Sequence, residues 1–386
     1  MYRCVGTDPN RLSLRSQIAR AQGLFSATGA GKCLQHAKAC DEKVVYSIAL
    51  PDISQVQRSV HGYFEVATGQ YPALHPDSTQ SRIHQILEYL QYPPAGDTVE
   101  VDEVAAPTVA LLCAMIAISA STRIDTSSST TNDWATLFLN HARNLLYEFE
   151  FLPPSREILQ CHTLITIQLL HMDFLDLAIQ ASAVTTRLAL FLRFHQRLRY
   201  SPRESDIASY DQNLWWTVYI LDRNTAYLSG TPGLIKDEDI DAPSPIPDHG
   251  FKRFCDVKYT TRPSEPVGQR DQDASFLEVC AHIWRLWGRT WNNLAPDSSP
   301  LNCHWEAAEV IDTQLRAMQQ RLPPTLAWRH LPRSDAEPDQ KDNVSRQRQL
   351  IILMVRHHSL LVTIPSAICE LLTAKMVRSV SIHSDY

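Results

Sequence analysis

The sequence predicts an all-α fold, and three observations carry that expectation. Apolar residues recur at steps of three and four: Ala178, Ala181, Thr185, Leu188 and Leu192 form one unbroken helical stripe. No convincing run alternates with the period of two that marks a half-buried strand. Glycine is scarce, 12 in 386 residues, and no Gly-Asn hairpin signal occurs.

Residues 1–48 are weakly patterned, with small residues concentrated in GLFSATGAGK, and are expected to be a loosely ordered lead-in. From Ile53 the pattern becomes helical, with Val56, Val60, Tyr63 and Phe64 on one face; the two prolines of YPALHPDS break it. Ile83, Ile86, Leu87 and Leu90 mark the next helix, which Pro93-Pro94 ends. Further helices are expected over 108–120, 133–149, 155–173, 175–195, 210–229, 274–293, 303–321 and 345–376. The Pro/Asp/Arg-rich stretches 241–272 and 323–343 read as loops. These elements make one multi-helix domain over 49–376, with no detectable short repeat, followed by a tail at 377–386.

Composition is ordinary for a globular chain, 44% hydrophobic and 20% charged, and the net charge of −6 gives no basic nucleic-acid footprint. The nine cysteines are odd in number, irregularly spaced and contain no C-x-x-C, which argues against a disulfide framework and for a reducing compartment. Cys33 and Cys40 alone do not close a structural zinc site, which needs four ligands. The N-terminal MYRCVGTDPNRLSLR holds no apolar signal core. The longest apolar stretch, Val104 to Ala120, is shorter than the roughly 18 residues of a membrane span and contains Pro107. It reads as a buried helix, so a soluble intracellular protein with no membrane partner is expected.

The most informative stretch is LWWTVYILDRNTAYLSGTPGLIKDEDIDAPSPIP, residues 214–247. Ser209 and Gln212 have capping-box spacing, and Asp211 suits the first turn of a helix starting there. Leu214, Val218, Leu221, Thr225 and Leu228 make one stripe, Trp216, Ile220, Arg223 and Tyr227 a second, and Trp215 and Tyr219 a third. A helix apolar nearly all round is buried. Gly230 fits the left-handed position past its end, and Pro232 prevents continuation. Asp222 and Arg223 are then two charges inside a buried helix, and each needs a partner. No cation lies three or four residues from Asp222, whereas Arg187 is an isolated charge on the preceding helix. Helices joined by residues 196–209 tend to pack antiparallel, so an Arg187–Asp222 ion pair is expected. By the same argument Arg223 reaches the acids beyond Pro232.

This stretch resembles the signature of the fungal transcription-factor regulatory domain, the middle homology region of zinc-binuclear-cluster transcription factors. AIQASAVTTRLALFLRFHQR (178–197) looks like that family's helix ending in a histidine-basic turn, YFEVATGQYPALHPDS (63–78) like its opening segment, and LPPTLAW (322–328) like a later turn. The resemblance runs in family order over roughly 60–365. Its signature positions are Arg187, His195, Leu214, Trp215, Trp216, Asp222, Arg223, Gly230, Pro232, Asp239, Asp241 and Pro243. Three departures stand out. Asp211-Gln212-Asn213 replaces basic residues, Gly230-Thr231-Pro232 replaces Gly-Arg-Pro, and Arg193-Phe194-His195 stands where a glycine usually precedes Leu-His. A non-glycine residue in a left-handed cap costs about 1 kcal/mol, so the helix before His195 is expected to end differently. Family members typically carry six cysteines binding two zinc ions that contact DNA, and no such spacing occurs here. The resemblance implies a non-enzymatic, nuclear regulator of RNA polymerase II-type genes, of a metabolic or biosynthetic (secondary-metabolism) kind. It needs no cofactor and binds DNA only indirectly. A DNA-binding relative or the transcription machinery is the implied protein partner, and a small-molecule effector a further candidate.

Rival chemistries are weaker. Asp237, Glu238 and Asp241 can be read as D-E-x-x-D, an echo of the magnesium-binding acids of all-α terpenoid synthases, with Asn132, Asp133, Thr136 and Asn140 echoing the second metal motif. Such acids must share a helical face. These follow a Gly-Pro stop and precede Pro243 and Pro245, which predicts an extended loop. Gly29-Ala30-Gly31-Lys32 lacks the first glycine and the Ser/Thr of a phosphate-binding loop. His357 and His358 are adjacent and so do not share a helical face. Cys161-His162 reads as core. Trp284, Trp287 and Trp291 step three and four along one helix, as core packing or as the wall of a ligand or partner groove.

Overall fold

The computed structural model describes residues 45–67, 69–92, 97–122, 130–148, 153–200, 206–243, 269–294, 301–322, 326–327 and 347–363. Residues 1–44 of the lead-in, with the Gly29–Lys32 echo and the Cys33/Cys40 pair, lie outside the described residues, as do most of the two Pro-rich loops and the tail.

The described residues are predominantly helical. In chain order the elements are β1 (Tyr46–Ala49), α1 (Ile53–Val66), α2 (Pro76–Tyr89), β2 (Thr98–Val101), α3 (Ala106–Thr122), α4 (Thr130–Glu148), α5 (Arg156–His171), α6 (Leu175–Phe191), α7 (Asp206–Ser229), α8 (Gln269–Leu294), α9 (Leu301–Arg321) and α10 (347–363). Local chemistry starts several of them. The Asp52 carboxylate accepts from Gln55 N at 2.9 Å at the head of α1, and Ser155 Oγ from Ile158 N at 3.2 Å at the head of α5. Pro76 opens α2, where its missing N–H costs nothing. Asp102 prepares α3 by accepting from Val104 N and Ala105 N at 3.1 and 3.0 Å.

The long apolar stretch becomes α3, buried from Ala106 to Ser119 apart from Pro107, and it packs against α1, α4 and α5. Burying each large aliphatic side chain here contributes about 1.5–3 kcal/mol. No helix among the described residues is long and apolar enough to cross a membrane. From α5 onward, neighbours in sequence are neighbours in space: α5 on α6, α6 on α7, α7 on α8, α8 on α9.

The structure departs from the sequence expectations in four places. β1 and β2 pair antiparallel, Tyr46 opposite Val101. Each strand has only four residues and the pair is joined through two helices, so neither a long alternation nor a hairpin turn advertises it. α7 begins at Asp206, so Ser209 lies inside the helix rather than at its N-cap, and Asp211 lies beyond the first turn. α6 stops at Phe191, leaving His195 outside it. It also ends in the way a glycine would dictate. Arg193 takes φ 62°, its N–H reaches Leu190 O at 3.0 Å, and Phe194 N reaches Ala189 O at 3.0 Å. That is a Schellman cap with arginine in the left-handed position, held there by Phe194, which is fully buried.

Candidate functional site

α7 is the central element. Gly230 at φ 65° closes it with the same cap, Thr231 N to Ala226 O at 3.0 Å and Gly230 N to Tyr227 O at 3.3 Å. The chain then turns back along the helix it has just left. Residues 234–243 lie against one face of α7, held by Trp216, Tyr219, Asp222 and Arg223.

Trp216 Nε1 donates to Pro243 O at 2.8 Å, and Tyr219 Oη to Asp237 Oδ1 at 2.7 Å. One turn on, the two Asp222 carboxylate oxygens accept separately, Oδ1 from Leu234 N and Oδ2 from Ile235 N, both at 3.1 Å. Arg223 donates to Ile235 O at 2.6 Å and to Asp237 Oδ1 at 3.2 Å. Asp222 and Arg223 are both buried. Burial raises the Asp222 carboxyl above the usual range, and the N–H bonds from Ile235 and Leu234 oppose that rise. For Arg223, burial disfavours the charge, but Tyr219 and Asp237 more than compensate and raise its pKa.

The guanidinium is boxed in. A Cβ added at Gly233 would collide with it, and one at Gly288 on α8 would meet it at 3.5 Å, an ordinary van der Waals contact. The Tyr219 ring centroid lies 5.2 Å from Arg223 Cζ. Helix, returning loop and α8 therefore share one buried cation.

The expected Arg187–Asp222 ion pair does not form. Arg187 is exposed on α6, and the Asp222 oxygens are occupied by backbone N–H groups. The helices meet through small polar side chains, with Thr225 Oγ1 donating to Ser182 Oγ at 3.2 Å, and that register turns Arg187 outward. The expected reach of Arg223 to the acids beyond Pro232 is present, through Asp237.

The other signature residues gather around this loop. Leu214, Trp215 and Trp216 are buried in the core, whereas Pro232 is exposed. The His195 ring packs 6.0 Å from the Trp215 ring, and its carbonyl accepts from Asp241 N at 2.9 Å. Burial lowers the His195 pKa, while Asp239, itself exposed, pulls it the other way. Asp241 is exposed and faces Arg197 at 3.8 Å. Asp237–Asp239 form a 3-10 turn, so the acids are not strung along one helical face. Asp237 turns inward to Arg223 and Tyr219, Asp241 outward to Arg197. Among the described residues no group of three or more His, Cys, Asp or Glu is placed to hold a metal ion.

Trp284 and Trp287 are buried on α8, 5.8 and 6.1 Å from the Tyr227 ring of α7, and Trp291 continues the ladder 5.6 Å from Trp287. They form the α7–α8 seam. His357 is buried and His358 exposed, as their adjacency on α10 requires.

Sequence reasoning missed a second charged node. Asp211 pairs with Arg156 at the start of α5 and with Arg199 at 3.2 Å, and Arg199 also donates to Leu192 O at 3.1 Å and stacks 3.7 Å from the Phe194 ring. The signal was present in the departure itself, an acid where the resembled family has bases. Gly233 was also missed.

The architecture defines an all-α domain in which a buried helix anchors its own following loop through an adjacent Asp-Arg pair. The fungal specific transcription factor domain matches residues 60–342, and the chain belongs to that family. No curated protein and no solved structure matches the chain significantly.

Proposed function

We propose that this chain is a transcription regulator working through its helical domain by protein contact rather than by catalysis. It acts in the nucleus on genes of a metabolic or biosynthetic pathway. DNA is engaged indirectly, through a DNA-binding relative or the transcription machinery, and a small-molecule effector sets its activity. The observation that carries the reading is the anchored loop within the family-matched region. Trp216, Tyr219, Asp222 and Arg223 are spent on holding Leu234–Pro243 in place, which is the work of a scaffold rather than of an active centre. The net charge of −6 also gives these 386 residues little hold on phosphates. The test is a tethering assay. Fused to a heterologous DNA-binding domain, the chain changes reporter transcription, and affinity capture from its native cell recovers a DNA-binding protein. A fusion with no effect on the reporter, or sequence-selective DNA binding by the purified chain alone at physiological salt, overturns the proposal.

A further inference from the structure

α4 and α6 lean on different sides of α5, and between them opens a cleft of about 540 Å³. That size suits one small organic molecule. Its floor is a single face of α5, where His162, Ile165 and Leu169 step three and four residues apart. Its α6 wall presents Leu177, Ala181 and Val184, the face opposite the Ser182–Thr225 contact with α7. Val184 is 45% exposed and Tyr147, on the α4 wall, 74% exposed, so the apolar lining stands open to solvent among the described residues.

The polar groups of the lining are Arg143, Asn144, Tyr147, His162 and Gln180. Arg143 stands at the rim with no ion-pair partner among the described residues, and no carboxylate lines the cleft. His162 is pushed down to about 4 by burial, so at neutral pH it is an uncharged imidazole offering one donor and one acceptor. A cleft with an apolar side of Ile165, Leu169, Leu177 and Val184 and one guanidinium that no carboxylate opposes among the described residues suits a molecule with a hydrocarbon body and one negative charge.

We propose that this cleft binds a small amphipathic organic monoanion, its apolar body on Ile165, Leu169 and Val184 and its anionic head on Arg143. From Leu177 to Val184 the wall runs about 10 Å, the length of a medium acyl chain or a bicyclic ring system. The site is separate from the anchored loop, and its occupancy is read without reference to transcription, so its failure and that of the regulator reading are distinguishable.

The test uses the full chain, methyl-labelled for NMR, with octanoate as probe and 1-octanol as its uncharged counterpart. Octanoate is expected to shift the methyl signals of Ile165, Leu169 and Val184 in a saturable way, while methyls of α3 stay still. Arg143→Gln weakens octanoate by about tenfold and leaves 1-octanol unchanged, because only the charge-assisted contact is lost. Val184→Trp, at a solvent-facing position that tolerates bulk, fills the cleft and abolishes binding of both, with an unchanged far-UV spectrum. Absence of saturable shifts, shifts centred elsewhere, or equal effects of Arg143→Gln on the two probes overturns the proposal.

Discussion

Asp222 and Arg223, adjacent on one buried helix, hold the two backbone groups of the same residue. Asp222 accepts the N–H of Ile235, and Arg223 donates to its carbonyl. Neighbouring side chains on a helix diverge by about 100°, so they meet at one point only because the loop passes between their directions. The two charges thus act as a hydrogen-bonding pair for Ile235, which lies just before the 3-10 turn of Asp237–Asp239 and outside any helix or strand.

Asp222→Ala should destabilise the fold by about 3 kcal/mol, since it strips one buried N–H group, of Ile235, and one part-buried N–H group, of Leu234, of an ionic acceptor. Arg187→Ala should stay within about 0.5 kcal/mol, as for other exposed side chains. Denaturant titration of both variants checks the contrast. Equal losses would restore the direct pair that the sequence suggests.

Gly233→Ala should cost about 1–3 kcal/mol by overpacking the Arg223 guanidinium, whereas Gly288→Ala, with its added carbon at 3.5 Å, should be nearly neutral. In an Arg223→Ala background the Gly233 penalty should largely vanish. A double-mutant cycle reads that coupling directly.

Arg193→Gly should stabilise the protein by about 0.5–1 kcal/mol, because φ 62° strains a side chain but not glycine. The melting temperature is the readout, and a fall would mean that the Arg193 side chain itself matters to the corner.

Glu278 on α8 is buried, one of its oxygens has no hydrogen-bond partner among the described residues, and burial pushes it up to about 7 from an ordinary value near 4.5. A raised carboxyl binds its proton more tightly when folded than when unfolded. Its contribution to stability is therefore fully present below about pH 4.5 and is lost as pH rises through about 7. Glu278→Gln should match the parent at pH 4 and exceed it by about 2 kcal/mol at pH 8. Parallel melting curves across that range decide the matter.

The helices were legible because apolar residues recur at the helical period, but the packed face of α6 is Ala178, Ser182, Thr185, Thr186 and Ala189, which shares only Ala178 and Thr185 with the expected stripe. The strands were not, because four residues paired across distant chain leave no local trace. Arg223 was legible in part: a cation near a capped helix end, with acids just beyond, has few places to go. Asp222 misled, because a buried carboxylate suggests a cation, while backbone N–H groups serve equally well and a loop's path is not written in its composition. Arg193 misled for a related reason. The local cost of a left-handed arginine argued against this cap, but the burial of Phe194 that favours it belongs to tertiary structure.

The flat guanidinium between Gly233 and Gly288 has the role of a shim. Its thickness sets the gap between the returning loop and α8, because neither glycine brings a side chain to fill that gap. If the loop lifts away, Arg223 loses Ile235 O and Asp237 together, and α8 is left facing a slot that must collapse or flood with water. Loop and helix thus bear on the same side chain from opposite sides, and that helix also carries Trp284 and Trp287.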